Sequence, residues 1–373
     1  MAESTRLVDL VQGQIDGFLS ERFTQLSAIA PELGEFAETA RGFLAGGKRF
    51  RALFCYWGWQ SAVSELDDFD PLGPEDAPAA LPGVVLAATA LEVFHAAALV
   101  HDDIIDNSDT RRGAPSAHRR FATTHADRDF SGNADAFGMS SALLLGDLLL
   151  GWSDEIFDAG TGMLASREHG LAGRAEFNRM RTEVTAGQYL DILEEAAWAA
   201  HPETEALSRA HRVIVYKSAK YSVEAPLAIG AALGGATPAQ LESLRAFGMP
   251  LGIAYQLRDD LLGVFGDPDV TGKPAGDDLR EGKRTVIIAI ARAKLPNHVR
   301  RVIDDLLGDR DLDAVQIDML RTAIRDSGAV DQVERIIDHN VGLARTAMDS
   351  APLSRSSREQ LLRLAETVTR RVS

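Results

Sequence analysis

The run His101-Asp102-Asp103-Ile104-Ile105-Asp106 closes an otherwise apolar stretch of the chain. Residues four apart share one helical face, so a helix here stacks Asp102 and Asp106 one turn apart. Carboxylates stacked this way repel each other by roughly 0.3 kcal/mol unless a cation neutralises them. Carboxylates suit Mg²⁺, which takes one or two of them and completes its shell with water and substrate phosphate oxygens. The plain alternative is a solvated acidic helix end, which normally lacks so apolar a lead-in. A second pair lies in Tyr255-Gln256-Leu257-Arg258-Asp259-Asp260-Leu261-Leu262-Gly263, again after apolar residues. Gly263 stands where a third carboxylate would fall, and Asp267 comes a further turn along. Either run alone is a weak signal. Two of them can face each other across a cavity and clamp several Mg²⁺ ions around a diphosphate.

Basic residues accompany both runs. Gly46-Gly47-Lys48-Arg49-Phe50-Arg51 sets two glycines before three cations, and Arg111-Arg112-Gly113 follows the first aspartate run. Tyr216-Lys217-Ser218-Ala219-Lys220 lies mid-chain. Gly272-Lys273 and Glu281-Gly282-Lys283-Arg284-Thr285 follow the second run. Arg and Lys near glycine-rich turns suit phosphate oxygens, although any one basic pair is more often a solvated surface. The joint pattern carries the argument.

These residues need rigid carriers, and nearly every long segment reads as helix. Leu7, Leu10, Val11, Ile15 and Leu19 recur at helical spacing, and strand-like alternation is rare. Pro, Gly and Asp mark the loops, none biased enough to be an interdomain linker, and no repeat has a fixed period. The expectation is a single all-α domain over residues 1–373. The apolar stretch Val84–Val100 is interrupted by Glu92 and His95 and reads as a buried helix, with no membrane-spanning or signal segment expected. The net charge of −16 argues against nucleic-acid binding and suits a protein that collects divalent cations. The one cysteine, Cys55, excludes an intrachain disulfide, and a cytoplasmic setting is the simplest reading.

The chain resembles the trans-polyprenyl diphosphate synthases. The runs that carry the resemblance are GGKRFR, HDDIIDNSDTRRG, GDLLLGWS, TAGQYLDI, YKSAKYS and YQLRDDLLGVFGDPDVTGKPAGDDLREGKRT, in that order from Gly46 to Thr285. Within the family the chain looks most like the actinobacterial geranylgeranyl/farnesyl type. The resemblance implies an isoprenoid-synthase-type helical bundle with a central cavity, and a homodimer. It implies isopentenyl diphosphate and an allylic diphosphate as substrates, with three Mg²⁺ ions when substrate is bound.

Carried over by position, Asp102 and Asp106 ligate Mg²⁺ with Asp103 in support, and Asp259 ligates it from the second run with Asp260 beside it. Lys48, Arg51, His95 and Arg112 bind the diphosphate of isopentenyl diphosphate. Arg111, Lys217, Lys273 and Lys283 bind the allylic diphosphate. Ser218 and Gln256 line the cavity near the reacting carbons, and Gln188 with Asp191 supports the metal cluster. Ser218 and Tyr255 replace the Thr and Phe of many relatives, and the missing third aspartate at Gly263 is the larger departure.

The implied reaction is electrophilic alkylation: the allylic diphosphate leaves, the isopentenyl double bond attacks the allylic cation, and a proton is lost to the released diphosphate. The enzyme supplies electrostatic stabilisation and positioning in a dry cavity, with no Ser–His–Asp set needed. In this family the residues four and five before the first aspartate floor that cavity. Here they are the small Ala98 and Ala97, and Phe94 sits a turn deeper. A helical turn of about 5.4 Å nearly matches one isoprene unit, so Phe94 as floor implies the C20 product, geranylgeranyl diphosphate. Farnesyl and longer products are alternatives. A class I terpene cyclase would carry a different second metal run, and a non-catalytic subunit would lose an aspartate run. His101 and Cys55 read as core residues.

Overall fold

Long runs of Ala, Leu, Glu and Arg, punctuated by Gly, Pro and Asp, give helix after helix in the computed structural model, which describes residues 2–63, 79–266 and 276–369. In chain order the first are α1 (Ala2–Ile29), α2 (Leu33–Leu44), α3 (Phe50–Val63), α4 (Leu81–Ile105), α5 (Ala117–Asp127) and α6 (Ala134–Gly162). They continue with α7 (Arg167–Ala197), α8 (Ala206–Val213), α9 (Ala225–Leu233) and α10 (Pro238–Phe265). Shorter helices follow at Asp277–Glu281, Val286–Lys294, Asn297–Leu306 and Ala314–Asp326, then longer ones at Ala329–Asp349 and Arg355–Thr369. The fold is all-α, as its composition implies.

Packing divides the chain into two compact units. The first comprises 1–176, 226–238 and 353–357, and the second 177–225, 239–352 and 358–373. In the first unit α4 is the buried axis. Pro82 in its first turn removes one N–H that would have no helical partner, and Val84, Leu91, Val93, Phe94, Ala97 and Val100 are all buried. In the second unit the apolar face of α10 (Leu257, Leu261, Val264) packs into a core with Ile287, Leu320, Ile324 and Ile337.

Two local structures depart from the helical expectation. Thr110–Arg111 and Ala114–Pro115 pair as a two-stranded antiparallel hairpin. Its two central residues, Arg112 and Gly113, have φ of 54° and 75°, the left-handed pair that matches hairpin twist. Ile214–Glu224 is wound as a π-helix, a form found frequently at functional sites.

Among the described residues α4 and α6 are long and apolar enough to cross a bilayer by length and composition. The apolar window of α4 is 78% buried within the protein, whereas that of α6 is 28% buried. Phe137, Met139, Leu143 and Leu144 are the exposed large apolar residues of α6.

Candidate active site

The first aspartate run ends α4 as its spacing predicts. The Asp106 amide donates to the Asp102 carbonyl at 2.8 Å, so the two residues lie one turn apart. Asp103 and Asp106 are buried, and Asp102 keeps partial exposure. The hairpin that follows turns the chain back, so Arg111 Nε donates to Asp103 Oδ1 at 2.8 Å and its Nη2 lies 3.4 Å from Asp102 Oδ2. The cation assigned to the allylic diphosphate thus neutralises the carboxylates assigned to metal.

Arg51, His95 and Arg112 converge in the same unit. Burial first, then the positive fields of Arg51 and Arg112, hold the His95 imidazole well below its ordinary value. Arg112 is lowered too, by burial and then by Arg49, with Glu92 opposing. Its guanidinium faces Gly47, where an added Cβ would meet Nη2 at 3.5 Å, so hairpin and glycine loop meet. Cations held together at such cost suit an anion. Lys48, the fourth residue of the expected set, is exposed on the loop, its Nζ 5.9 Å from the Phe50 ring centroid. Arg49, next to it, is a scaffold residue: buried at 5% exposure, it bonds Gln12 Oε1 at 2.6 Å and lies 3.4 Å from Glu92 Oε2.

Phe94 and Ala97 are buried and Ala98 is partly exposed along α4. His101 Nε2 contacts the Leu143 carbonyl at 3.4 Å and Asp147 at 3.5 Å, a packing role. Burial pushes the Cys55 thiol up to about 12, which leaves it protonated and inert.

In the second unit the residues of the later runs assemble around α10. Asp260 is buried, and Gln256 Nε2 donates to its Oδ1 at 2.8 Å. Its Oδ2 is buried with no hydrogen-bond partner among the described residues. Burial lifts the Asp260 carboxyl to about 8, against the Gln256 hydrogen bond and with help from Asp278, Asp259 and Asp191. Lys217, on the π-helical segment, pairs with Asp191 of α7 at 2.5 Å. Ser218 beside it and Gln188, one turn before Asp191, are partly exposed. Lys283 Nζ lies 2.5 Å from Glu281 Oε2 and 3.8 Å from Asp278 Oδ1. Lys273 and Asp267 lie outside the described residues.

Asp278 is a residue that sequence reading missed. A Cβ built on Gly263 overlaps its carboxylate, so Asp278 fills the space beside the residue that replaces the third aspartate. The signal was present in the GDDLREGK run, but spacing alone does not show that it folds back on α10.

Asp278, Asp259 and Asp191 each bear on Asp260 as negative charges, and one Asp260 oxygen is buried without a partner among the described residues; oxygen groups of this kind suit a hard divalent cation. Among the described residues no three His, Cys, Asp or Glu groups are arranged to hold an ion by themselves. A cation here would complete its shell with water and ligand oxygens, as Mg²⁺ does.

An all-helical fold with one aspartate pair at the end of the apolar α4 and another towards the end of α10, each in a unit that also carries basic site residues, is that of an isoprenoid-synthase-type protein. A structure of geranylgeranyl pyrophosphate synthase from Corynebacterium glutamicum, complexed with isoprenyl diphosphate and magnesium, aligns at a TM-score of 0.89 and 36% identity, over 98% of this chain and 99% of that one. A polyprenyl synthase from Caulobacter crescentus, complexed with calcium and isoprenyl diphosphate, aligns at a TM-score of 0.75 and 26% identity, over 100% and 98%. Geranylfarnesyl diphosphate synthase of Aeropyrum pernix is 34% identical over 74% of this chain and 79% of its own length. The polyprenyl synthetase family model matches residues 34–324, and the chain belongs to that family. It is a prenyltransferase that builds trans-prenyl diphosphates.

Proposed function

We propose that the chain condenses isopentenyl diphosphate with allylic diphosphates in an Mg²⁺-dependent reaction and stops at C20, geranylgeranyl diphosphate. The observation that carries the reading is the convergence of Arg51, His95 and Arg112 beside the Asp102–Asp106 helix end. Two guanidiniums around a neutral imidazole suit the oxygens of a bound diphosphate.

In this reading Lys48, Arg51, His95 and Arg112 hold the diphosphate of isopentenyl diphosphate and orient its double bond. His95, neutral through burial and its cationic neighbours, donates a hydrogen bond without adding charge. Arg111, Lys217, Lys273 and Lys283 stabilise charge on the departing allylic diphosphate. Asp102 and Asp106, with Asp103 in support, and Asp259, with Asp260 and Asp278 near it, would hold the Mg²⁺ ions, three when substrate is bound. Bound Mg²⁺ neutralises the diphosphate and makes it a leaving group. Arg111 and Lys217, paired with Asp103 and Asp191, would offer their charge to phosphate oxygens, and those aspartates would support the Mg²⁺ ligands beside them. Ser218 and Gln256 steady the reacting end, and the apolar wall of α4 excludes water. Phe94 closes the chain-length space below Ala97 and Ala98. A second copy of the chain covers the exposed apolar residues of α6 in a homodimer.

The test supplies labelled isopentenyl diphosphate and Mg²⁺ with five-, ten- and fifteen-carbon primers and sizes the dephosphorylated products. C20 from every primer supports the reading. A C15 stop or a longer ladder overturns the assignment of Phe94 as floor, and no condensation overturns the assigned reaction.

A further inference from the structure

Immediately after Lys283 the chain places Arg284, whose side chain turns away from the acidic cluster. Its guanidinium carbon sits 3.8 Å from the ring centroid of Trp198, the residue that follows α7. Arg292 lies against the same ring at 4.8 Å. Asp304 joins the two cations: Arg292 donates to it twice, at 2.7 and 2.9 Å, and Arg284 once, at 3.2 Å. Both arginine side chains are 11% exposed and Asp304 is 19% exposed, so the contacts are only weakly screened. Burial lowers Arg284 below its ordinary value while Asp304 opposes the shift.

The site residues do not use these four groups, yet the groups join the two pieces of chain that carry site residues. Trp198 is two turns beyond Asp191 on the end of α7. Arg284 adjoins Lys283, whose ammonium lies 2.5 Å from Glu281 Oε2 and 3.8 Å from Asp278 Oδ1. A cavity of about 230 Å³ opens beside the ring, lined by Trp198, Arg209, Arg284, Ile288 and Arg292. Two cations thus stack on the ring at the end of α7, where Arg209 of α8 also pairs with Glu194 at 2.6 Å.

We infer that Arg284 and Trp198, braced by Arg292 and Asp304, form a positioning clasp that sets the Lys283 ammonium for the allylic diphosphate. The inference rests on the proposed role of Lys283 as a diphosphate ligand. Arg284 acts through Lys283, and it touches no substrate itself.

The experiment measures inorganic pyrophosphate binding in the presence of Mg²⁺ by calorimetry, for wild type, Arg284→Gln, Trp198→Ala, Trp198→Phe, Lys283→Ala and the double variant Lys283→Ala/Arg284→Gln. Arg284→Gln and Trp198→Ala weaken binding by roughly 10-fold, the scale of a lost supporting shell. Trp198→Phe, which keeps a ring face, restores affinity to near wild type. The double variant binds no worse than Lys283→Ala alone, because Arg284 acts on the ligand through Lys283. Additive losses, wild-type affinity in Arg284→Gln, or a wild-type protein that does not bind pyrophosphate would each overturn the clasp. Wild-type condensation activity, measured separately, judges the synthase reading: coupled pyrophosphate losses in a chain that condenses nothing sink that reading alone.

Discussion

The carboxylate of Asp278 lies against Gly263 so closely that the glycine has no room for a Cβ. Asp278 thereby brings an acidic group to the position along α10 where a third aspartate would otherwise stand. Gly263→Ala forces one of the two to move and costs about 1–3 kcal/mol, the usual price of overpacking. Denaturant unfolding checks this. The exchange Gly263→Asp with Asp278→Gly regains most of the lost stability, whereas Gly263→Asp alone does not.

Arg111 and Asp103 form a pair with side-chain exposures of 15% and 0%. Asp103→Ala leaves the guanidinium short of its partner at a buried position, and the loss is about 3 kcal/mol. Arg111→Gln in the same background returns part of it. A double-mutant cycle by thermal unfolding reads the coupling, and independent losses would show that the pair contributes nothing of its own.

His95 supplies a pH signature. Its folded value is depressed, so below about 6.5, the ordinary histidine value, the unfolded chain takes up a proton that the folded chain refuses. More protons bound in the unfolded state means that stability rises with pH. The contribution from His95 is therefore a loss that grows as pH falls from about 6.5 towards the folded value. His95→Gln flattens this part of the stability profile. Melting at pH 7 and pH 5 tests it, and an unchanged slope would remove His95 as the cause.

Much of this architecture is legible from residue order, and the misses have physical reasons. Helical class and the α4 face follow from period and composition, because Asp102 and Asp106 need only local geometry to stack. Arg112-Gly113 was opaque as a hairpin, since Arg is a poor advertisement for left-handed φ. Lys48, Arg49 and Arg51 look alike in the basic run, yet Arg49 goes to Glu92 and the core because tertiary packing alone selects which cation is buried. Asp278 was hidden because contact with Gly263 depends on a short helix folding back. Nothing local in the sequence pairs Trp198 with Arg284.

Chain length offers a direct readout. Phe94→Ala opens the space one turn below Ala98 and lengthens the product by at least one C5 unit. Ala98→Phe fills the space above and shortens it. Product sizing by chromatography checks both, and an unchanged product from Phe94→Ala moves the floor elsewhere.

The exposed face of α6 makes an association prediction. Leu143→Asp and Leu144→Asp set charge on apolar residues that are 50% and 62% exposed. Light scattering on the wild type gives twice the chain mass of 40.3 kDa, and the paired variant gives the single mass. A wild-type monomer would leave that face to some other use.

The π-helical winding of Ile214–Glu224 bears on how this stretch can evolve. A wider coil houses an additional residue that an ordinary helix between the same end points would exclude. Each residue of an α-helix turns the chain by about 100°, so deleting one residue after Lys217 would swing it away from Asp191 while Ala225 stayed in place. Side chains here are exchangeable one at a time, but the count of residues is not. Insertions and deletions, more than substitutions, are the changes that lineage divergence would have to avoid.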